Sequence, residues 1–319
     1  MMSNFGWATT TDEVLSGQNL DGLRVFITGV SAGLGLETAR ALLTHGVEVV
    51  GAARDLSKAA AATATLREEF GNSLQLVELD LTSLASVGAC ADALVAAGRP
   101  LDVLIANAGI MATPESRTQD GFELQFGTNH LGHFLLVNRI ASLVPPGGRI
   151  VVLASSAHQF SPVDLDDANY EKRPYDPFDA YGASKTANIL FAVELDRRHR
   201  PRNVRATAVH PGSIKTDLLR HMSDDLISRM SARSLAEKGD GVTQLQLKSV
   251  AQGAATTVWA GFVAAPDEVG ARYCEDCGVA ETAEKGGKGV RPYAVDPQIA
   301  HEVWAMSERM VGEEFPVVP

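Results

Sequence analysis

Six short apolar segments, separated by longer stretches with helical character, restrict the possible folds of this chain more than any other feature. The segments are rich in β-branched residues and mostly lack alternating polar side chains, which suits strands buried on both faces. They span residues 23–28, 47–52, 74–79, 103–106, 150–154 and 204–209. Parallel strands joined by crossover helices produce this alternation, so the sequence predicts an α/β fold with a doubly wound parallel sheet of the Rossmann type.

The stretches between the predicted strands are long enough to form crossover helices. They span residues 34–44, 57–70, 83–97, 122–143 and 180–198. No linker or fixed repeat is visible, so we predict an N-terminal extension over residues 1–21 and a single domain over residues 22–319. Residues 159–179 and 218–250 do not fit the repeat. Because loops beyond the carboxyl ends of such strands bind ligands, we interpret both as substrate-side loops that form a lid, with ordinary surface loops as the alternative.

Charge and composition exclude several classes of partner. The chain has 319 residues, of which 45% are hydrophobic, and a formal charge of −11. Nucleic acid and anionic membranes would repel such a chain, so we expect a small-molecule partner. The sequence contains neither an apolar stretch of about 18 residues nor a basic start followed by an apolar segment, and these features predict a cytoplasmic protein without a membrane span.

Cysteine and histidine spacing does not favour a metal site. Cys274 and Cys277 form one CxxC pair, but no second pair or nearby histidine accompanies it, so we interpret the pair as structural. With Cys90 the count is odd, which suits a reducing compartment. His130 and His133 are close in sequence, yet no third ligand is apparent. We therefore predict no catalytic metal.

A glycine-rich turn follows the first predicted strand, which ends at Thr28. Its small residues stand where the strand gives way to a helix. The turn contains Gly29, Ser31, Gly33, Leu34 and Gly35. Glycine permits positive φ and lets backbone amides and the helix N-terminus approach a diphosphate. The turn predicts a dinucleotide site, and its alternative is a tight strand-to-helix connection without a ligand.

The GxxxGxG spacing after a strand-ending threonine resembles the short-chain dehydrogenase/reductase family, and further motifs match in the same order. They are Asp80 and Leu81 after the third strand, Asn107, Ala108 and Gly109 after the fourth, Tyr181 and Lys185 as YxxxK, and Pro211, Gly212, Ile214 and Thr216 after the sixth. The resemblance implies that the glycine turn, Tyr181, Lys185 and all these residues bind a nicotinamide dinucleotide.

This resemblance covers roughly residues 22–312. The strings NHLGHFLL, YGASKTANILF, VHPG and RYCEDC are most similar to the retinol dehydrogenase branch and its soluble bacterial relatives. Related enzymes pair through the helices that carry Asn129 and Tyr181. The resemblance therefore implies a homodimer or homotetramer, and leaves a monomer open.

The residues after the second predicted strand favour NADP(H) over NAD(H). Specificity for NAD usually needs an acidic residue at the end of this strand, whereas a basic side chain accommodates the 2′-phosphate of NADP. Arg54 occupies this position, and Asp55 follows one residue too late. Because Ser31 and Ala32 add no second basic group, NAD(H) also stays open.

Tyr181 and Lys185 are four residues apart on a predicted helix, which places both side chains on one face. A phenol has a pKa of about 10, and a neighbouring ammonium group is expected to lower that pKa toward the range useful for proton transfer. The resemblance implies that Lys185 also hydrogen-bonds the nicotinamide ribose. Tyr181 is therefore the predicted general acid and base.

Two further residues complete the predicted catalytic set. Ser155 ends the fifth strand at the position of the family's catalytic serine, where its hydroxyl would contact the substrate oxygen, and Ser156 is the alternative. Asn129 resembles the family's fourth catalytic residue, which holds a water that connects the lysine to solvent. The alternative for Asn129 is an amide that bonds to nearby backbone.

Together these features predict an NADP(H)-dependent oxidoreductase that transfers a hydride between the nicotinamide and the carbonyl or alcohol of a hydrophobic small molecule. The candidate apolar walls are Phe160, Tyr170, Tyr175, Phe178, Leu218, Leu219, Met222 and Met230. A non-catalytic NAD(P)-binding sensor or scaffold is the alternative, but it should lack Tyr181, Lys185 or Ser155. A nucleotide-sugar epimerase would show GxxGxxG and a longer C-terminal region.

Overall fold

A computed structural model describes residues 5–214, 224–238, 246–284 and 288–317. Its strands are β1 (Arg24–Thr28), β2 (Glu48–Ala53), β3 (Leu74–Glu78), β4 (Val103–Ala106), β5 (Arg149–Leu153), β6 (Arg205–His210), β7 (Tyr273–Glu275) and β8 (Gly278–Val279). They form an eight-stranded sheet in the order β3-β2-β1-β4-β5-β6-β7-β8. All neighbours are parallel except β7 and β8. The predicted doubly wound α/β sheet is confirmed.

Helices cover both faces of the sheet. They are α1 (Thr11–Leu15), α2 (Gly33–Thr44), α3 (Leu56–Ala62), α4 (Ala64–Phe70), α5 (Leu84–Ala97), α6 (Leu124–Phe126), α7 (Gly132–Ile140), α8 (Pro177–His199), α9 (Asp224–Lys238), α10 (Val250–Val258), α11 (Pro266–Val269) and α12 (Pro297–Val311). Alternate residues of β1 show why two layers are needed: Phe26 packs into one core, and Val25 and Ile27 pack into the other. A strand that is apolar on both faces must be covered on both.

The six predicted strands lie within one residue of the observed bounds, but β7 and β8 were not predicted as strands. Cys274 lies within β7, and Cys277 lies in the turn before β8, where Asp276 and Cys277 have φ of 52° and 56°. The CxxC pair thus belongs to a tight β-hairpin. Strands this short carry too little periodicity to be recognised in a sequence.

The predicted helices differ from the observed ones in detail. Residues 57–70 form α3 and α4, with a break at Thr63, whose hydroxyl donates to the carbonyl of Ala59 at 2.8 Å. Residues 122–143 contain a π-helical turn, Gly127–Leu131, between α6 and α7. The supposed loop 218–250 contains α9, and the N-terminal extension contains α1. Helix α9 is largely polar, so its sequence lacked a clear apolar stripe.

Helix α12 covers the outer face of the helices that carry Asn129 and Tyr181. The Trp304 ring lies 4.9 Å from the Phe134 ring and 5.8 Å from the Phe191 ring, measured between centroids. On the same face, His130 Nε2 lies 2.7 Å from Ser307 Oγ. In the part of the chain that the structure describes, no helix is both long enough and apolar enough to cross a membrane.

Candidate active site

A cleft of about 770 Å³ opens at the carboxyl ends of the strands, where the strand order reverses between β1 and β4. Most of the predicted cofactor residues line it: Gly29, Ser31, Gly33, Leu34, Gly35, Arg54, Asp80, Leu81, Asn107, Ala108, Gly109, Tyr181, Lys185 and Pro211. Four other predicted residues do not line the cleft: Asn129, Ser155, Gly212 and Ile214. Thr216, together with Leu218, Leu219 and Met222, lies outside the described residues.

The glycine turn leaves room for a ligand because its three glycines, Gly29, Gly33 and Gly35, carry no side chains. Gly29 and Gly33 have φ of 80° and 57°, which side-chain-bearing residues rarely adopt. A Cβ on Gly35 would lie 2.2 Å from the carbonyl oxygen of Gly29 and 2.5 Å from Asn107 Nδ2. The turn leads directly into α2, whose N-terminal amides face the cleft. This cradle fits the diphosphate of a dinucleotide.

Thr28 joins the ends of β1 and β4. Its hydroxyl oxygen accepts hydrogen bonds from the backbone N–H groups of Asn107 and Ala108, both at 2.9 Å. The Asn107 amide in turn donates to the carbonyl of Thr28 at 2.7 Å. The two strand ends that form the middle of the cleft are thus fixed to each other.

Tyr181 and Lys185 both lie on α8 and are buried. Their spacing of one helical turn places both side chains at one site. Lys185 Nζ donates to the carbonyl of Leu153 at 3.1 Å and lies 5.7 Å from the centroid of the Tyr181 ring. Burial lowers the pKa of Lys185 to about 8. Burial also raises the pKa of Tyr181 to about 12, although the neighbouring Ser155 side chain acts in the opposite direction. The shift is thus opposite to the lowering that the sequence predicted, because desolvation of the phenol dominates.

The structure brings Ser155 to the tyrosine. The Ser155 side chain lies near enough to the Tyr181 phenol to oppose the rise in its pKa. The Ser155 hydroxyl oxygen accepts a hydrogen bond from the N–H of Ala157 at 3.1 Å. Ser156, the alternative candidate, uses its backbone N–H to donate to His210 Nδ1 at 3.2 Å. Of the two serines, Ser155 is thus the one whose side chain affects the Tyr181 phenol.

Asn129 lies in the π-helical turn, and its side chain is fully engaged. Its Oδ1 accepts from the N–H of Ile110, and its Nδ2 donates to the carbonyl of Ile110, both at 2.9 Å. Nδ2 also donates to Ser184 Oγ at 3.0 Å. These are the backbone contacts of the alternative interpretation. A Cβ placed on Gly109 would be 3.2 Å from Asn129 Oδ1 and 3.5 Å from Lys185 Nζ, so Asn129 is nevertheless close to the lysine.

Comparison with known proteins identifies the family. A family model described as short chain dehydrogenase matches residues 24–226. The chain belongs to the short-chain dehydrogenase family. It is 38% identical over 306 residues to retinol dehydrogenase 14 of Mus musculus, which covers 92% of this chain and 87% of that protein. As a member of this family, the chain is an NAD(P)-dependent oxidoreductase that acts on CH–OH groups.

Solved structures agree with this assignment. An uncharacterized protein from Mycobacterium paratuberculosis matches with a TM-score of 0.74 and 34% identity, over 97% of this chain and 99% of that one. A short chain dehydrogenase from Burkholderia cenocepacia, crystallised in complex with NADP, matches with a TM-score of 0.64 and 23% identity, over 82% of this chain and 99% of that one. The second match supports the fold.

At one end of the cleft, this short-chain dehydrogenase presents two basic residues, of which Lys58 was not predicted. Arg54 follows β2, and Lys58 lines the same cleft one turn into α3. Asp55 caps α3 by accepting from the N–H of Lys58 at 2.9 Å. Its carboxylate is thereby turned to the helix end. The sequence spacing of Arg54 and Lys58 could have indicated that Lys58 lies at the cleft, but only if the start of α3 at Leu56 had been known.

An apolar wall surrounds the Tyr181 ring of this dehydrogenase. This apolar wall consists of Met111, Ala112, Ala157, Phe160, Phe178, Leu226 and Met230. Phe160 comes from the predicted loop 159–179, and Leu226 and Met230 come from α9. Both segments that did not fit the repeat therefore contribute side chains to the cluster around Tyr181.

The segment after β6 is supported by the β7–β8 hairpin. A Cβ on Gly212, where φ is 89°, would meet the Lys248 stem at 2.8 Å, and the Lys248 N–H donates to the carbonyl of Ser213 at 2.8 Å. Lys248 Nζ pairs with Asp276 Oδ1 at 2.8 Å. The turn between the two hairpin cysteines thus holds the segment that contains Gly212 and Ile214.

The cysteines of the dehydrogenase are buried and packed in its cores. Burial raises the pKa of both Cys90 and Cys277 to about 11 and also raises that of Cys274, so the thiols stay protonated. Within residues 5–214, 224–238, 246–284 and 288–317, no group of three or more His, Cys, Asp or Glu side chains could hold a metal ion.

Proposed function

We propose that the chain interconverts a carbonyl and an alcohol of a hydrophobic small molecule with NADP(H), and that Tyr181 is the general acid and base. One observation carries the proposal: the buried Tyr181 and Lys185, with the half-buried Ser155 near Tyr181, adjoin the same cleft as the glycine cradle. A hydroxyl donor, a phenol and an ammonium group therefore stand beside a space suited to a dinucleotide.

When bound, the nicotinamide supplies or accepts the hydride. Ser155 would orient the substrate oxygen and stabilise charge that develops on it. With a pKa of about 12, the Tyr181 phenol is protonated at neutral pH and can donate its proton to that oxygen. Lys185 would stabilise the resulting phenolate, and Asn129 would hold the loop at Ile110 against the lysine. In the direction of oxidation, Tyr181 would accept the proton again.

A first test follows NADPH absorbance in the presence of apolar aldehydes and ketones, with short polar aldehydes as the matched control panel. Turnover of the apolar panel at a higher kcat/KM than the polar panel is expected, because the apolar wall favours desolvated ligands. Tight NADPH binding without any turnover would instead support a non-catalytic sensor. Faster turnover of the polar panel would contradict the proposed substrate class.

Support for NADP(H) comes from the basic end of the cleft. Arg54 and Lys58 are both exposed there, and a 2′-phosphate prefers cationic partners. The Burkholderia cenocepacia relative by fold was crystallised with NADP. Because Asp55 faces the start of α3, its carboxylate is engaged away from a ribose hydroxyl.

Replacing Arg54 with Ala is expected to weaken NADPH binding by about 10-fold or more and to leave NADH binding almost unchanged, since a charge-assisted hydrogen bond contributes about 1.5–3 kcal/mol. Lys58→Ala should act in the same direction. Dissociation constants from cofactor fluorescence titrations measure both effects. Arg67→Ala, an exposed arginine of α4 outside the cleft lining, is the matched control. Equal weakening of NADH would contradict a 2′-phosphate site.

We also propose that α9 and the loop 159–179 form the lid over the substrate. Arg233 of α9 pairs with Asp179 and lies 3.5 Å from Asp176, both at the start of α8, and it donates to the carbonyl of Phe160 at 3.1 Å. Arg229 lies 3.3 Å from Asp176. Two cations thus hold α9 against the start of α8 and the loop 159–179 through partly exposed ion pairs.

Arg233→Ala is expected to raise the KM for the organic substrate about 3- to 5-fold without changing the dissociation constant of NADPH, because exposed ion pairs contribute about 0.2–1 kcal/mol each. Added salt should raise the wild-type KM in the same way, and should have less effect on the variant. Steady-state kinetics at low and high salt measure this. Arg197→Ala, which removes an ion pair with Glu194 near the other end of α8, is the control. An unchanged KM would contradict the lid.

A further inference from the structure

Two buried histidines outside the predicted catalytic set contact the backbone of catalytic residues. His133 Nδ1 lies 2.9 Å from the carbonyl oxygen of Asn129, and His158 Nδ1 lies 2.7 Å from the carbonyl oxygen of Ser155. Both side chains are nearly inaccessible to solvent. In both rings, Nδ1 therefore contacts the backbone carbonyl of a proposed catalytic residue.

The hydrogen bonds fix the protonation of His158. A carbonyl oxygen only accepts, so Nδ1 must carry the hydrogen in the bond to Ser155. The backbone N–H of Arg291 only donates, and it reaches His158 Nε2 at 3.1 Å, so Nε2 must be unprotonated. His158 is thus the neutral Nδ1–H tautomer. It connects the loop of Ser155 to the segment that follows the β7–β8 hairpin.

His133 is fixed in the same tautomer by a different partner. Its Nε2 lies 2.9 Å from Thr28 Oγ1. That oxygen already accepts the N–H groups of Asn107 and Ala108, so the hydroxyl must use its single hydrogen to donate to Nε2. The Nδ1–H then donates to Asn129. A continuous chain of hydrogen bonds joins the strand ends of the cofactor cleft to the π-helical turn.

We infer that His133 and His158 are positioning residues, each held as the neutral Nδ1–H tautomer, which fix the main chain at Asn129 and Ser155 for the proposed reaction. The inference rests on the proposed function. It goes beyond that function by assigning a role to two rings that touch neither the cleft nor a substrate.

Burial and contacts favour this neutral state. A second proton on His158 would direct Nε2–H at the N–H of Arg291, and a second proton on His133 would displace the hydroxyl hydrogen of Thr28. Burial lowers the pKa of both imidazoles to about 4, with Arg291 acting on His158 and Lys185 on His133 in the same direction. The two rings are accordingly neutral wherever the enzyme is assayed near neutral pH.

The physical consequence concerns Ser155 most directly. Its hydroxyl oxygen accepts from the N–H of Ala157 and lies near the Tyr181 phenol, so the position of that hydroxyl follows the backbone at the end of β5. The Tyr273 ring, centred 5.0 Å from the His158 ring, supports His158 from the other side. A shift of about 1 Å in such a group can change a rate by about 100-fold.

Asparagine and glutamine separate the two ends of each ring. At position 158, His158→Asn keeps an amide donor near Nδ1 for the carbonyl of Ser155, whereas His158→Gln keeps an acceptor near Nε2 for Arg291. We expect His158→Asn to retain kcat within about 3-fold and His158→Gln to lose about 10-fold or more. Both should lower the melting temperature by similar amounts, because each loses one buried hydrogen bond.

Position 133 adds a split between two kinetic constants. His133→Asn keeps the contact with Asn129 and should retain kcat, but should weaken NADPH binding because Thr28 loses its acceptor. His133→Gln should show the reverse pattern. Long-range ¹H–¹⁵N NMR spectra of the histidine rings in the unliganded full chain provide a readout that does not depend on activity. We expect protonated Nδ1 and unprotonated Nε2 for both rings, assigned by their loss in the two glutamine variants.

Three results would overturn the inference. One is an Nε2–H tautomer in the NMR spectrum. Another is equal loss of kcat in the asparagine and glutamine variants in proportion to their melting temperatures, which a purely structural role predicts. The last is an inactive wild type, which would contradict the proposed function itself. This outcome is distinguishable because wild-type activity is measured before any variant is compared.

Discussion

Replacing Tyr181 with Phe is expected to lower kcat by about 100-fold or more, because general acid–base catalysis contributes about 10²–10⁴-fold. The ring keeps its contacts with the apolar wall, so only the hydroxyl next to Ser155 is lost. NADPH fluorescence titrations should show nearly unchanged cofactor binding. Steady-state reduction of the best aldehyde or ketone from the apolar panel measures kcat.

Tyr273→Phe is the matched control for this substitution. Tyr273 is buried near the site, and within the described part of the chain its hydroxyl has no hydrogen-bond partner. Its removal should leave kcat within about 2-fold, since no hydrogen bond is lost. Similar losses in both variants would show that the site responds to any change in its packing. Full activity of Tyr181→Phe would exclude Tyr181 as the proton donor.

A second large effect is expected at the glycine turn. Gly35→Ala places a methyl group 2.2 Å from the carbonyl oxygen of Gly29, where neither backbone nor the Asn107 amide can yield without moving the turn. We expect NADPH binding to weaken by about 100-fold, which corresponds to roughly 3 kcal/mol, the upper end of the usual cost of overpacking. Equilibrium titration with NADPH measures this change.

The control for the glycine variant is Gly6→Ala, where a Cβ would have no heavy atom within 4 Å. It should bind NADPH as the wild type does. Circular dichroism of Gly35→Ala distinguishes a displaced turn, which preserves the helical signal, from global unfolding. A folded Gly35→Ala protein with normal NADPH affinity would show that this turn is not the cofactor cradle.

The strands were predictable because burial on both faces leaves a direct mark on composition. The segment Arg24–Thr28 is apolar at its three central positions, and Val103–Ala106 is apolar throughout. The start of α8 could also have been predicted more closely: Asp176 caps the helix by accepting from the N–H groups of Phe178 and Asp179, and Pro177 occupies its first turn.

The sequence could not show how burial and nearby charges combine to set a pKa, or which distant residues come into contact. A lysine four residues from Tyr181 suggested a lowered phenol pKa, but burial raises that pKa to about 12. Arg54 was recognised from its place after a strand, whereas Lys58 depended on where the next helix begins. The contact between His158 and Arg291 joins residues far apart in the chain, and no local pattern encodes it.

The packing of α12 over α8 also sets an order in time. Chains leave the ribosome N-terminus first, so every residue of the proposed catalytic set is synthesised before the helix that covers the outer face of α8. Phe134 and Phe191 have no Trp304 to pack against until the last part of the chain emerges. Once Phe191 has been synthesised, this aromatic face therefore lacks its Trp304 cover until α12 follows.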